Sequence, residues 1–180
     1  MSTTKKILAA LTALALMVVG TGCRDSRHIP TAQGRPQITI MVGGLEKVIY
    51  LPAMLTQQLG NFERNDVDVT LMGEQSGANA ETALLTGDVQ AVVGFYDHTI
   101  DLQAKDQCIE SVVQMSDVPG EVELVAGDKA GEITSPADFK GRKLGVTSLG
   151  SSTDMLTQAL AGQEGLSTAD YSRVKVGAGQ

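Results

Sequence analysis

Hydrophobic residues follow two different periods along the chain. Residues 37–42 (QITIMV) are rich in β-forming side chains and end at Gly43-Gly44, and residues 67–71 (VDVTL) alternate like a half-buried strand. Between these segments apolar residues recur at helical spacing, which predicts a helix that begins near Pro52 and ends at Gly60. Its predicted buried face consists of Leu51, Met54, Leu55 and Leu59.

Strand and helix patterns continue to alternate after this unit. We predict a helix over residues 78–86, a strand over 90–93, a helix to about 104, and strands over 109–115 and 122–126. A polar, glycine-containing stretch at 127–131 is followed by a predicted strand over 143–147, a helix to about 161 and a strand over 173–176. Ser151 and Asp154 have the spacing of a capping box. The alternation predicts an α/β fold with a largely parallel sheet.

The polar stretch at 127–131 marks a predicted domain boundary. It separates an α/β lobe one over residues 38–126 from the beginning of a second lobe over residues 127–180. The second segment is too short to cover both faces of its own sheet or to protect its strand edges. We therefore expect an N-terminal fragment with lobe one nearly complete and lobe two truncated. The alternative is a short tail that packs on the first domain.

The first 22 residues have the organisation of an export signal. Lys5 and Lys6 precede an apolar run over residues 7–19, and small residues follow at Gly20, Thr21 and Gly22. The run is shorter than the roughly 20 apolar residues of a membrane-spanning helix. A buried N-terminal helix is the alternative, but the paired lysines favour a signal peptide over residues 1–22.

Cys23 follows these small residues directly. The sequence Gly20-Thr21-Gly22-Cys23 resembles a bacterial lipobox, in which the cysteine is lipidated and becomes the mature N-terminus; Gly20 departs from the usual leucine. Secretion with an incidental cysteine is the alternative. The polar residues 23–37 then form a flexible tether. Cys108, beside an apolar stretch, is interpreted as a small core residue.

Charge and composition exclude several classes of protein. The chain has 14 Lys and Arg against 21 Asp and Glu, a net charge of −7, which argues against a nucleic-acid partner because phosphate binding needs clustered cations. No phosphate-binding glycine motif, zinc-protease motif or Cys-x-x-Cys pair is present. We therefore expect no cofactor and no metal.

The two histidines of the chain are not placed as a catalytic pair. His28 lies in the predicted tether, and His98 follows Asp97 directly, so the two side chains would not face each other on a helix. His98 is interpreted as a structural or pocket residue rather than a general base.

Small and hydroxylated residues follow several predicted strands. In parallel sheets ligands bind outside the carboxyl ends of the strands, where helix N-termini present unpaired N–H groups. Ser76-Gly77 and Ser151-Ser152 each precede a helix, one in each lobe, and together would form a small cleft suited to an anionic group. Ordinary turns and helix caps explain the same residues equally well.

The order of several motifs resembles the solute-binding proteins of ABC importers, in the nitrate, sulfonate and taurine group that also includes thiamine-precursor binders. The resemblance covers roughly residues 38–180. It is carried by Leu51-Pro52-Ala53, Gly60-Asn61-Phe62, Asp66-Val67-Asp68-Val69, residues 86–94 (TGDVQAVVG), Tyr96-Asp97-His98-Thr99-Ile100, Gln103-Ala104-Lys105 and residues 144–152 (LGVTSLGSS).

The resemblance implies a periplasmic-binding-protein-like (type II) fold with two lobes that close on a ligand. By position, it implies a ligand-binding cleft lined by Gly44, Leu45, Tyr50, Ser76, Gly77, Tyr96, Ser148, Gly150, Ser151 and Ser152. It implies a monomeric, extracytoplasmic lipoprotein, anchored to the membrane through Cys23, that delivers a small anionic solute to an ABC permease in the inner membrane.

Two other functions remain possible on the same fold. One is a pyrimidine-precursor synthase, but such relatives carry a cysteine-rich motif and this chain has only Cys23 and Cys108. The other is a ligand-sensing module for a signalling partner. We expect a binding protein and not an enzyme.

Overall fold

The computed structural model describes residues 31–32 and 34–177. The predicted signal peptide, the predicted lipidation site Cys23 and most of the predicted tether lie outside these residues. The first sheet consists of strands β1 (Thr31–Ala32), β2 (Arg35–Val42), β3 (Asp68–Gly73) and β4 (Ala91–Val93). Regular structure therefore begins before residue 37, the predicted end of the tether.

Strand β2 is the centre of the first sheet. It pairs in parallel with β3 from Gln37↔Asp68 to Val42↔Gly73, and in parallel with β4 from Ile40↔Ala91 to Val42↔Val93. Strand β1 pairs antiparallel with its first residues. The three parallel strands therefore end at the same edge of the sheet, which is where their loops meet.

Four α-helices lie in this part of the chain: α1 (Leu51–Gln58), α2 (Asn61–Arg64), α3 (Gly77–Thr86) and α4 (Tyr96–Gln103). A short 3-10 helix, Val48–Tyr50, leads into α1. Helix α3 packs the buried Ala80 against Met41 and Val89, which form the core of the first sheet.

Helix α1 forms as predicted, but the prediction of its buried face is wrong. Leu51, Leu55 and Leu59 are 43%, 45% and 61% exposed, whereas Ala53 is buried. Gln57, four residues after Ala53 and on the same face, donates a side-chain hydrogen bond to the Val69 carbonyl of β3. The small alanine and this polar contact determine which side of the helix meets the sheet.

The second sheet is a parallel pair of strands, β5 (Lys143–Val146) and β6 (Ser172–Lys175), joined by helix α5 (Ser152–Gln163). Phe139, Ala161 and Tyr171 form its buried cluster, and Phe139 ends a 3-10 helix, Pro136–Phe139. Another 3-10 helix covers Gly127–Lys129, inside the stretch predicted as a domain boundary. The α/β class with parallel sheets is confirmed.

Two predicted strands do not form. Residues 109–115 and 122–126 are irregular, and Val112, Val122 and Leu124 are more than four-fifths exposed. Their β-forming composition needs a neighbouring strand to complete a hydrogen-bond ladder, and among the described residues neither segment has one. Cys108 is also exposed, so its interpretation as a small core residue is wrong.

Candidate functional site

A small cavity lies where loops of the two sheets meet. The loops after β2, β4 and β5 supply most of its wall, together with the start of α3 and part of the irregular segment before residue 127. Its lining residues are Lys47, Tyr50, Gly77, Phe95, His98, Glu121, Thr147, Ser151, Ser152 and Thr153. Parallel strands direct their carboxyl ends to this edge, which is the usual place for a ligand in such sheets.

Gly43 allows the loop after β2 to lie close to Gly77 and to the Tyr50 hydroxyl at the cavity wall. A Cβ atom at this position would lie 2.7 Å from the backbone nitrogen of Gly77 and 2.8 Å from the Tyr50 hydroxyl oxygen. Burial raises the pKa of Tyr50, while a hydrogen bond with the Gly43 backbone acts in the opposite direction. Tyr50 therefore remains a neutral hydroxyl at the side of the cavity.

Helix α3 begins at the cavity with a conventional cap. Ser76 is fully buried, and its Oγ atom accepts a hydrogen bond from the Asn79 backbone nitrogen at 3.2 Å. Gly77, the first residue of the helix, lies against the imidazole of His98 and lines the cavity. The first N–H groups of a helix have no partner within the helix, and Gly77 brings the start of α3 to the cavity wall.

His98 joins three elements through both ring nitrogens. Its Nδ1 atom lies 2.6 Å from Glu81 Oε1 on α3, and its Nε2 atom lies 3.0 Å from Ser152 Oγ on α5. The serine hydroxyl is also 3.0 Å from Asp97 Oδ1, which accepts a hydrogen bond from the His98 backbone nitrogen. His98 and Ser152 are each 4% exposed. This buried chain of polar groups connects the elements of the two sheets beside the cavity.

The loop after β5 is held by its own hydroxyl groups. Ser151 Oγ donates to the Ser148 carbonyl at 2.7 Å, and Thr147 Oγ1 donates to Ser151 Oγ at 2.9 Å. The Thr147 backbone nitrogen donates to Thr153 Oγ1. Because its hydroxyl is engaged within the loop, Ser151 contributes shape and backbone to the cavity rather than a free side-chain donor.

The predicted capping box at the start of α5 is wrong. Ser151 is the N-cap residue but makes no side-chain cap, since its hydroxyl is used inside the loop. Asp154 instead accepts a hydrogen bond from the Gly150 backbone nitrogen at 2.8 Å, and both of its carboxylate oxygens contact Arg173 of β6. A capping box does form at Ser135 and Asp138.

Glu121 and Lys47 bring charge to the cavity wall. Burial raises the pKa of Glu121, and the positive charge of Lys47 opposes that rise. Burial lowers the pKa of Lys47, and the negative charges of Glu121 and Glu46 oppose that decrease. Gly120 allows the segment that carries Glu121 to approach, since a Cβ atom there would lie 2.7 Å from Ile49 Cγ2.

Four of the ten predicted cleft residues line the cavity: Tyr50, Gly77, Ser151 and Ser152. The other six lie around it without lining it. Gly44 and Ser148 are buried, Leu45 packs against Gly73, Ser76 caps α3, Gly150 is exposed, and the side chain of Tyr96 is 65% exposed. Tyr96 is the first residue of α4, and its side chain points out to solvent while His98 points in.

Sequence reasoning missed five lining residues: Lys47, Phe95, Glu121, Thr147 and Thr153. His98 was interpreted as a structural or pocket residue, and it is both. Lys47 lies in the wall because it directly precedes the 3-10 helix that ends at Tyr50, a turn that no sequence signal marked. Glu121 has no sequence signal either, since it follows a stretch without regular structure.

Among the described residues, no group of three or more His, Cys, Asp or Glu side chains could hold a metal ion. None of the helices described within residues 34–177 is both long and apolar enough to cross a membrane.

Comparisons with known proteins identify the family. A family model described as NMT1/THI5 like matches residues 49–180. A solved structure of a protein from Bordetella bronchiseptica RB50 is 33% identical, with a TM-score of 0.69. The match covers 80% of this chain and 45% of that one, so the chain spans less than half the length of this relative. No curated protein matches the chain. These matches confirm the solute-binding-protein-like α/β fold, and the chain belongs to the NMT1/THI5-like family of ABC-transporter solute-binding proteins.

Proposed function

We propose that this protein is the extracytoplasmic receptor of an ABC importer, which captures a small solute between two lobes and delivers it to a permease. The cavity at the meeting point of the two sheets carries this proposal, because elements of both sheets line it. Binding would be coupled to closure of the lobes, since a ligand that contacts both favours the closed arrangement. No covalent chemistry is needed for this function.

The solute carries an anionic group, of the sulfonate, nitrate or carboxylate kind. The starts of α3 and α5 both lie at the cavity, at Gly77 and at Ser152, where unpaired backbone N–H groups favour negative charge. Lys47 adds a cation to the same wall. Charge-assisted hydrogen bonds of this type contribute about 1.5–3 kcal/mol each.

The receptor is held at the periplasmic or extracellular face of a membrane by lipid on Cys23. The order of basic, apolar and small residues before this cysteine supports the proposal. A tethered receptor remains close to its permease, which raises the effective concentration of loaded receptor at the transporter.

A binding experiment tests the proposed function. The protein, expressed from its complete coding sequence, is screened by thermal shift and calorimetry against taurine, ethanesulfonate, nitrate, carboxylates and pyrimidines. A saturable rise in melting temperature with one anion class, and loss of its uptake in a strain lacking the gene, is the expected result. Turnover of any bound compound would instead support the synthase alternative, and binding without any effect on uptake would support a sensor.

A further inference from the structure

Four polar side chains form a continuous row beside the cavity, from α3 through α4 to α5. Glu81 Oε1 lies 2.6 Å from His98 Nδ1, and His98 Nε2 lies 3.0 Å from Ser152 Oγ. The same hydroxyl oxygen lies 3.0 Å from Asp97 Oδ1. Three of these side chains are buried and Asp97 is half-buried. Because Ser152 begins α5 and the other three lie on α3 and α4, the row joins elements of the two sheets.

The three contacts need more protons than the neutral side chains carry. Ser152 has one hydroxyl proton and a neutral imidazole has one N–H, whereas an ionised carboxylate has none. If Ser152 donates to Asp97, the ring has to donate to Ser152 through Nε2. No proton then remains for Nδ1, which faces Glu81. All three contacts therefore form together only with a third proton, held by the imidazole as a cation.

The contact between Glu81 and His98 agrees with a charged ring. Neither Glu81 Oε1 nor His98 Nδ1 has an aligned hydrogen bond among the described residues, although the two atoms are only 2.6 Å apart. Opposite charges attract without the strict alignment that a hydrogen bond requires. A positive imidazole therefore accounts for this short contact.

The other charges around His98 are mainly negative. The charged groups of the row and of the cavity wall beside it are Glu81 of α3, Asp97 of α4, Glu121 of the irregular segment and Lys47 of the loop after β2. On α5, Asp154 is already paired with Arg173. Three carboxylates and one lysine leave an excess of negative charge, which a protonated ring balances.

We propose that this row is a proton-dependent latch between the two lobes. Ser152 contacts Asp97 and His98 together only while the row holds its third proton. Loss of that proton as the pH rises leaves one contact without a hydrogen, and the attachment of α5 to α4 weakens. Histidine exchanges its second proton between about pH 5 and 8, so the latch operates in that range.

Proton binding and lobe closure are coupled in both directions. The closed contact holds the third proton more tightly than the open one, so closure takes up a proton and is favoured on the acidic side of the range. Only the consequence for solute capture, which we expect to be stronger at lower pH, rests on the proposed function. The latch itself rests on the contacts of the row.

Two substitutions give opposite results if the proton count is correct. In Glu81→Gln the amide N–H₂ donates to His98 Nδ1, the Nε2–H group donates to Ser152, and Ser152 donates to Asp97, so the row is complete with a neutral ring. This variant should keep the latch at every pH. Ser152→Ala removes the hydroxyl and should lack the latch at every pH. Glu110→Gln changes an exposed acid in the same way as the first variant and should behave like the parent.

Hydrogen exchange of the full-length protein without solute measures the latch. Protection factors at the starts of α4 and α5 are compared with those in β2 at about pH 6 and about pH 8, each corrected for the intrinsic exchange rate. In the parent we expect the protection at these helix starts to fall by about tenfold or more between the two pH values. Glu81→Gln should show no such fall. A parent whose protection is independent of pH, or a Glu81→Gln variant that loses as much as the parent, overturns the proposal.

Nitrogen NMR of the histidine rings tests the proton count on the parent alone. The ring signal that moves in Ser152→Ala identifies His98. We expect protons on both ring nitrogens at a pH where the helix starts are protected. A neutral His98 ring under those conditions overturns the latch even if Glu81→Gln fails to fold. Neither measurement contains a solute, so the receptor function stands or falls separately in the uptake experiment.

Discussion

Gly77 determines how closely helix α3 approaches helix α4. A Cβ atom at this position would lie 2.8 Å from His98 Nε2, closer than carbon and nitrogen atoms pack. The imidazole cannot move aside freely, because Glu81 and Ser152 hold its two nitrogens. Gly77 is therefore needed for packing, although a glycine weakens the start of a helix.

We predict that Gly77→Ala lowers the free energy of unfolding by about 1–3 kcal/mol, the usual effect of overpacking. Helix propensity alone would favour alanine, so a loss of stability isolates the contact with His98. Chemical denaturation measures the change. Gly131→Ala is the matched control, since nothing lies within 4 Å of its added methyl group. Equal effects of the two substitutions would contradict the predicted contact.

Asp154 is the carboxylate on which the start of α5 depends. It is 1% exposed, and its partner Arg173 lies within 2.8 Å and 2.9 Å of the two carboxylate oxygens. Removing the partner of a buried charge is far more damaging than removing an exposed ion pair.

We predict that Arg173→Gln destabilises the protein by up to about 3 kcal/mol, below the fully buried range because Arg173 is a quarter exposed. Arg142→Gln, which breaks a surface pair with Glu132, is the control and should change nothing measurable. Thermal unfolding of both variants makes the comparison. If the two lose stability equally, Asp154 does not depend on Arg173.

At the scale of elements, the contact of α4 with α5 links the parts of the chain that carry the two sheets. Ser152 at the start of α5 reaches both Asp97 and His98 of α4. Farther along α5, Thr157 Oγ1 donates to Glu123 of the irregular segment. These polar contacts can break and reform without exposing a large apolar surface, which suits elements that move relative to each other.

We predict that Ser152→Ala loosens this contact while both sheets stay folded. The change leaves the half-buried Asp97 and the buried His98 without their shared hydroxyl, at an expected loss of about 1–3 kcal/mol. Hydrogen exchange should become faster at the starts of α4 and α5, with unchanged protection in β2 and β5. Ser172→Ala, at an exposed position of β6, should alter neither region. Faster exchange throughout both sheets would show that Ser152 supports the whole fold instead.

At the scale of the whole molecule, the proposed anchor decides where the receptor works. We predict that the parent protein partitions into detergent and incorporates labelled fatty acid, whereas Cys23→Ala does neither. A thioether to lipid uses the Cys23 sulfur, and Cys23 is the only other cysteine available to Cys108. Mass spectrometry of the purified protein therefore separates a lipidated chain from one with an intrachain disulfide. Identical partition of parent and Cys23→Ala would contradict the anchor.

Local sequence patterns predicted much of the fold because the relevant forces act over a few residues. The φ of +86° at Gly87 ends α3 where the glycine indicated, and Ser76 caps the same helix as its side chain allows. Alternation located β2 and β3 to within two residues. The Ile, Val and Met residues within 109–126 led to the wrong prediction of two strands. Strand formation depends on a neighbouring strand, and a local sequence pattern does not show whether one is present.

The residues of the candidate site were also only partly predictable from local sequence patterns. Gly77, Ser151 and Ser152 could be predicted as cavity residues, since they follow the carboxyl ends of strands in parallel sheets, where ligands usually bind. Glu121 could not, because its place beside Lys47 comes from the path of an irregular segment over Ile49. The sequence by itself determined the acidic charge, which follows from composition, and the α/β alternation and the cap of α3 at Ser76, which depend on near neighbours. Only the tertiary structure decided which face of α1 is buried, which hydroxyls are already engaged, and which acidic side chain lines the cavity, because those depend on contacts between residues far apart in the chain.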